Sequence, residues 1–385
     1  MTHNTAPVVI VGSGLAAWTV ARELRKLDKR APITLISRDS GDFYSKPMLS
    51  NALASGKTAA QLVNSTADKI AQQLGVTVQA HTDVTGVDRA SKTVQTSQGT
   101  VSYAKLVLAT GAAPIRVALA GNAANQVLSV NDLADYDRFR QKIAGRQRIT
   151  IMGAGLIGCE FANDLALGGY EIDVVDPGLQ AMGRLLPDTV AQHLQSALQQ
   201  AGIRFHWGTS VQAVDARHGS LQVQLANGQT LATDAVLSAI GLRPRIALAS
   251  ACGLTTNRGI VVNSQLETSD PDIFALGDGA EIDGQVRSFV MPIMQAARVI
   301  ATQLAGTPAA LTWPVMPVVV KTPAMPVVVV PPPAQAKGEW SSTHSEDGVS
   351  ARFASAEGKL LGFALAGSST ALKNQLVSAL SADLV

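Results

Sequence analysis

The chain has 385 residues, 46 % hydrophobic and 16 % charged, the make-up of a globular protein with room for two or three cored domains. A formal net charge of +2 argues against nucleic acid or an anionic membrane as a partner. The two cysteines, Cys159 and Cys252, lie far apart and form no CxxC, which argues against a disulfide framework or a zinc site.

The amino-terminal MTHNTAPVVIVGSG runs straight into an apolar strand with no charged region ahead of it, so no export signal is expected. The longest apolar run, VMPVVVKTPAMPVVVVPPP, is cut by Lys321 and prolines and does not read as a membrane span. A cytoplasmic setting is the expectation.

Two segments follow one plan. Val8 to Ser37, VVIVGSGLAAWTVARELRKLDKRAPITLIS, and Ile149 to Asp176, ITIMGAGLIGCEFANDLALGGYEIDVVD, each start with a short apolar run. Each then turns on GxGxx(A/G) into a helix and returns to a second apolar run, the pattern of a βαβ dinucleotide unit. Gly12 and Gly14, or Gly153 and Gly155, allow a tight turn and a close approach of pyrophosphate to backbone. Ala17 or Gly158 lets the helix settle on the strand, and the helix N-terminus faces the phosphates. One such motif is a weak signal; two in the same strand–turn–helix–strand context are strong.

The residue ending each unit bears on the ribose. Asp176 closes IDVVD, where a carboxylate accepts ribose hydroxyls and repels a 2′-phosphate, which favours NADH over NADPH. The first unit has Ser37 there, followed by Arg38 and Asp39; either Ser37 bonds the ribose or Asp39 swings in. Along the chain follow GDFYSKPMLSNAL (Gly41–Leu53), KLVLATGAAP (Lys105–Pro114), its weaker echo AVLSAIGLRPR (Ala235–Arg245), and TSDPDIFALGDGAEI (Thr268–Ile282). No cysteine occurs from 38 to 58, and His81, His193, His206 and His218 show no metal-like spacing.

The ordered set GxGxxA, ATG, GxGxxG, AIGxRP and ALGD, spread over nearly the whole chain, resembles the flavoprotein reductases with two dinucleotide-binding domains. The resemblance implies an α/β protein: two Rossmann-like domains, for FAD and NAD, plus a small α+β C-terminal domain. The FAD domain takes 1–113 and 241–307, the NAD domain 114–240, and the C-terminal domain 308–385 lines the acceptor side of the flavin. Implied FAD contacts are Gly12, Ser13, Gly14, Leu15, Ala16, Ser37, Arg38, Lys46, Pro47, Val84, Thr110, Gly111, Gly277, Asp278, Val290 and Lys321. Asp278 matches an aspartate that binds a ribityl hydroxyl. Implied NAD contacts are Gly153, Gly155, Leu156, Ile157, Gly158, Glu160, Asp176 and Gly241, with Glu160 set against the nicotinamide and flavin. Cys159 reads as a packing residue, since it lacks a resolving partner.

In disulfide reductases of this superfamily the flavin reduces a neighbouring cysteine pair, and here none is available, so electrons must leave directly to a bound acceptor. An ammonium at Lys46 would favour the anionic reduced flavin by Coulomb attraction. FYSKPMLS and the Lys321 segment look most like rubredoxin–NAD reductases, with Lys46, Glu160 and Lys321 as the residues acting at the flavin. The NADH–ferredoxin reductases more often carry YxRPPLSK; this chain has Lys46, Pro47 and Met48. The partner implied is rubredoxin, a small acidic iron protein reached by weak, salt-sensitive encounter. It would serve a chain such as alkane hydroxylation or oxidative-stress defence, with a monomer favoured. The alternatives are an NADH–ferredoxin reductase of an oxygenase system, an NADH oxidase, and a non-enzymatic FAD/NAD redox scaffold. Seven prolines from Pro314 to Pro333 are read as a loop rim. Strands around GVSARFAS and KLLGFALAG and a helix near TALKNQLVSALSA should follow.

Overall fold

Four consecutive valine and isoleucine residues, Val8–Val11 (β1), are at most 9 % exposed, and a strand so buried needs neighbours on both edges. The computed structural model describes residues 6–382 and supplies them. The chain folds into two compact units.

The first unit comprises Met1–Lys46, Val63–Ala113 and Leu242–Trp313. In it β1 pairs in parallel with Ile33–Ile36 (β2) on one side and Lys105–Leu108 on the other. Thr77–Gln79 and Ile273–Ala275 complete a five-stranded parallel sheet. Parallel neighbours require a crossover, and Leu15–Leu27 (α1) provides it. The α1 residues Ala17, Trp18, Val20, Ala21 and Leu24 are all 0 % exposed, and the α1 face packs on the helix Val290–Leu304. Trp18 buries its ring while its indole N–H donates to the Gly41 carbonyl at 3.1 Å, which satisfies the one polar atom it carries.

The second unit comprises Pro47–Leu62, Pro114–Gly241 and Pro314–Val385. Its parallel sheet runs Arg204–Trp207, Glu171–Asp176 (β4), Arg148–Met152 (β3), Ala235–Ser238. The crossover is Leu156–Leu167 (α2), buried without a break from Gly158 to Leu165. A helix apolar around most of its girth belongs inside a protein, and α2 is enclosed accordingly. The polar exceptions on it, Glu160, Asn163 and Asp164, therefore need partners.

The C-terminal part differs from the sequence expectation. The proline-rich run is loop only in part: Val318–Val320 and Val327–Val330 form an antiparallel hairpin, with Pro317, Pro323, Pro326 and Pro331 all just outside the paired residues. Proline cannot donate to a ladder, so the prolines bracket the strands, and β-branched valines fill them. The expected strands appear as Gly348–Ala354 and Leu360–Gly367, and the expected helix as Lys373–Ala382. A further strand, Glu339–Ser345, is polar and almost wholly exposed at the sheet edge, which leaves no apolar alternation to read. Val320, Val327, Val329, Val349, Ala351, Ala364 and Ala366 share one core with Ile151, Leu165, Val190 and Leu198. Among the described residues no helix is long and apolar enough to cross a membrane.

The two glycine turns explain their own composition. A Cβ on Gly158 would lie 1.9 Å from the Gly153 carbonyl oxygen, whereas one on Gly155 would meet nothing within 4 Å. Gly158→Ala is expected to cost about 1–3 kcal/mol in urea unfolding, by overpacking. Gly155→Ala, at an N-cap with φ −73°, should cost under about 1 kcal/mol. Equal losses would mean that helix-on-turn contact is not what the second position requires.

Candidate functional site

In the first unit the turn Gly12–Gly14 leaves β1 with Gly12 at φ +121°, its amide bonded to the Ile36 carbonyl at 2.9 Å. A Cβ there would come within 2.3 Å of the Ala109 carbonyl oxygen, so backbone passes backbone with no side chain between. Gly14 starts α1 with no capping side chain, no acid in the first turn and open space around its Cα. The first amides of α1 are thus left for an anionic ligand. Ala16 meets Gly277, itself at φ +77°, where a Cβ would sit 3.2 Å from the Ala16 Cβ.

Thr110 and Gly111 join the same neighbourhood. Thr110 Oγ1 donates to the Arg245 carbonyl at 3.0 Å, the Arg245 amide donates to Gly111 O at 2.9 Å, and Gly279 closes on both. Lys46 Nζ lies 3.6 Å from Asp278 Oδ2, pairing two of the charged residues singled out from sequence. Ser37 is 4 % exposed and bonds Ser13 and Asp39, while Arg38 points outward to Asp83, the neighbour of Val84, at 3.3 Å. Val84 itself begins a bulged antiparallel strand, Val84–Asp88. Val290 opens its helix 41 % exposed, beside exposed Phe289 and Met291, with no side chain capping that end either.

The second unit repeats the cradle. Gly153, at φ +101°, donates to Val175 O at 2.8 Å, and a Cβ there would strike the Ala239 carbonyl oxygen at 2.7 Å. Gly155 leaves α2 uncapped and open, with Leu156 half-buried and Ile157 42 % exposed at its start. Asp176 accepts the Ala154 amide at 2.7 Å and the Gly178 amide at 2.6 Å, which fixes its carboxylate against the turn. Gly241, at φ +117°, accepts from the Ile115 amide at 3.0 Å. Two open, uncapped helix ends behind turns whose first glycine admits no side chain fit two dinucleotides, and the residues present suit FAD and NADH.

Glu160 and Lys321 come together. Glu160 is 1 % exposed, and its Oε1 accepts the Lys321 amide at 2.9 Å. Its Oε2 accepts Ser50 Oγ at 2.5 Å, Asn51 Nδ2 at 3.3 Å and Lys321 Nζ at 3.4 Å. The Lys321 ammonium also donates to the Pro47 carbonyl. One turn on, Asp164 accepts the Leu53 amide at 2.8 Å and the Ala54 amide at 3.1 Å. Burial raises the Asp164 carboxyl above its ordinary pKa, and these amides pull it back. One face of α2 therefore holds the segment 47–62. Sequence reading found Glu160 and Lys321 but missed Ser50, Asn51 and Asp164. The i, i+4 acid pair on an otherwise apolar helix was the available signal. Burial drives the Cys159 thiol far up from its usual pKa, and its Sγ contacts Ala154 O at 3.3 Å, as a packing residue should.

Removing the Lys321 side chain would leave Glu160 buried with one cation fewer. Lys321→Ala should destabilise the protein by about 2 kcal/mol, less than a fully enclosed pair because the lysine is 33 % exposed. In Glu160→Gln the same lysine deletion should cost clearly less. Chemical denaturation of the four-protein cycle measures this, and additive losses would show that the two side chains do not interact.

The profile of the pyridine nucleotide-disulphide oxidoreductases matches residues 6–301, and that of the rubredoxin binding C-terminal domain matches 310–380. The chain is 45 % identical to a rubredoxin-NAD(+) reductase of Alcanivorax borkumensis, over 96 % of this chain and 97 % of that protein. It is 40 % identical to a nitric oxide reductase FlRd-NAD(+) reductase of Aeromonas salmonicida, over 94 % and 92 %. Among solved structures, a ferredoxin reductase from Rhodopseudomonas palustris superposes with a TM-score of 0.86 at 28 % identity, covering 94 % of this chain and 91 % of that one. The chain belongs to the pyridine nucleotide-disulphide oxidoreductase family, in the branch of the rubredoxin–NAD(+) reductases that carries a rubredoxin-binding C-terminal domain.

Proposed function

We propose that the chain takes reducing equivalents from NADH and delivers them, one electron at a time, to the iron centre of rubredoxin. The observation that carries this reading is the rubredoxin-binding domain over 310–380, following a family match in which no cysteine stands between 38 and 58. FAD, when bound, supplies the conversion between a two-electron donor and a one-electron acceptor.

The chain's own residues bind and orient. The turn Gly12–Ala16 and the open end of α1 suit the pyrophosphate of FAD, and Asp278 suits a ribityl hydroxyl. Thr110, Gly111 and the start of the helix at Val290 line the same neighbourhood in the first unit. In the second unit the turn Gly153–Gly158 and Asp176 suit NADH, the carboxylate disfavouring a 2′-phosphate. Glu160, held by four donors, keeps a fixed charge on α2. Lys46 brings positive charge to the flavin from the first unit, and no residue is required as a general acid or base. We also infer a cytoplasmic setting, a compartment that supplies NADH and keeps the free cysteines Cys159 and Cys252 reduced.

NADH-driven reduction of a rubredoxin and of a [2Fe–2S] ferredoxin, side by side at low and high salt, tests the acceptor. Rubredoxin should be reduced at least about tenfold faster, with a rate that falls as salt rises. Preference for the ferredoxin would overturn the reading.

The lysine near the flavin has its own signature. An elementary charge removed from a partly screened site about 8 Å from another is worth about 1–2 kcal/mol. Lys46→Met should therefore shift the two-electron flavin midpoint by about 20–40 mV to more negative values. Spectroelectrochemical titration reads it, and an unchanged or more positive midpoint would remove Lys46 from the electrostatics of the flavin.

A further inference from the structure

We infer that His193 and His344 form a two-imidazole site for a divalent transition cation, zinc in type, at the edge of the terminal sheet in the second unit.

Two elements meet there. The helix Asp188–Gln200 buries Val190, Ala191, Leu194 and Leu198, and the strand Glu339–Ser345 is the outermost of the terminal sheet. Side chains alternate along a strand, so Trp340, Ser342 and His344 share one face. Trp340 packs on the core that holds Leu194 and Leu198, which turns that face toward the helix. Two contacts then repeat in step. Thr189 Oγ1 and Ser342 Oγ lie 2.8 Å apart, and the rings of His193 and His344 have centroids 5.1 Å apart. A step from i to i+4 advances a helix by about 6 Å, and a step from i to i+2 advances a strand by about 6.7 Å. The spacing of 189 and 193 therefore matches that of 342 and 344, and the second contact follows from the first.

The two rings are prepared as ligands. His193 Nδ1 meets the Thr189 carbonyl oxygen at 2.8 Å. A carbonyl only accepts, so Nδ1 carries the proton and the lone pair is left on Nε2. A ring N–H held on a carbonyl is the usual support of a metal-ligating histidine. His344 is exposed, and its ring nitrogens take no hydrogen bond among the described residues. The rings are tilted at 42°, neither the offset stack nor the edge-on contact that aromatic attraction favours. A tetrahedral zinc ion holds imidazole nitrogens at about 2.0–2.1 Å, which puts each ring centroid about 3.1 Å from the metal and two such centroids about 5 Å apart. At 5.1 Å the pair already has that separation, so neither element has to move.

Glu346 and Asp347, exposed in the turn after the strand, add a negative field that favours a cation. Among the described residues no group of three or more His, Cys, Asp or Glu side chains is placed to hold a metal ion. Water therefore completes the shell. The cation is an exchangeable one that ties the sheet edge to the helix, in contrast to the closed four-ligand shell of a structural zinc.

Zinc chloride titrated calorimetrically into the tag-free, FAD-loaded chain tests this, beside His193→Gln and His344→Gln. Wild type should bind one zinc per chain, and each variant should bind at least about tenfold more weakly, because losing either imidazole removes the chelate. X-ray absorption at the zinc edge should show two imidazole nitrogens at about 2.0 Å in wild type. No saturable site in wild type would overturn the inference and leave the two rings as a packing contact. Weakening confined to one variant would overturn it too, since one imidazole would then suffice, as would undiminished binding in both. If a variant fails to fold, the wild-type absorption spectrum decides, and fewer than two imidazoles on the metal counts against the site.

Discussion

A carboxylate with 1 % of its surface exposed sets the terms for much of the second unit. Burying an ion costs several kcal/mol unless charge and hydrogen bonds meet it. Glu160 is met from two directions, by Ser50 and Asn51 of the segment 47–62 and by Lys321 of the C-terminal hairpin. Each of these is distant in sequence, so the demand of one buried acid draws two stretches of chain to a single helix face. Lys321 answers twice, through its amide and its ammonium, and so its backbone as well as its charge is fixed. Asp164 extends the same hold one helical turn further.

The two units divide the chain at the start of that segment. Lys46 is anchored in the first unit by Asp278, whereas Pro47, next in sequence, belongs to the second and is held there by Lys321. Where relatives that reduce disulfides need a thiol, this chain has a cation and then a proline. A cation can bias a flavin but cannot accept its electrons, so the chemistry is directed outward to a separate acceptor. The match to a rubredoxin-binding domain supplies that acceptor's class.

Both nucleotide units were legible because their constraints are local. A glycine is needed wherever a Cβ would meet a carbonyl oxygen, as at Gly12, Gly153 and Gly158, and such positions announce themselves in sequence. Buried parallel strands read as unbroken apolar runs for the same kind of reason. The valine hairpin around Lys321 was not legible, since the prolines that punctuate it also suit a loop and only its pairing with Leu360–Gly367 reveals it as sheet. The polar edge strand Glu339–Ser345 gave no pattern at all. Ser50, Asn51 and Asp164 escaped because their significance lies in contacts across about a hundred residues.

The shared core of the second unit has a consequence for how such reductases diversify. Val320, Val327 and Ala364 of the terminal sheet are buried in the same cluster as Leu165 and Val190 of the nucleotide-binding part. The C-terminal sheet is therefore no detachable module, and exchanging it alone between homologues would strip an apolar face from both sides of the cut. A change of electron acceptor has to arise by substitution on the rim of this sheet, or by inheritance of sheet and nucleotide unit as one block.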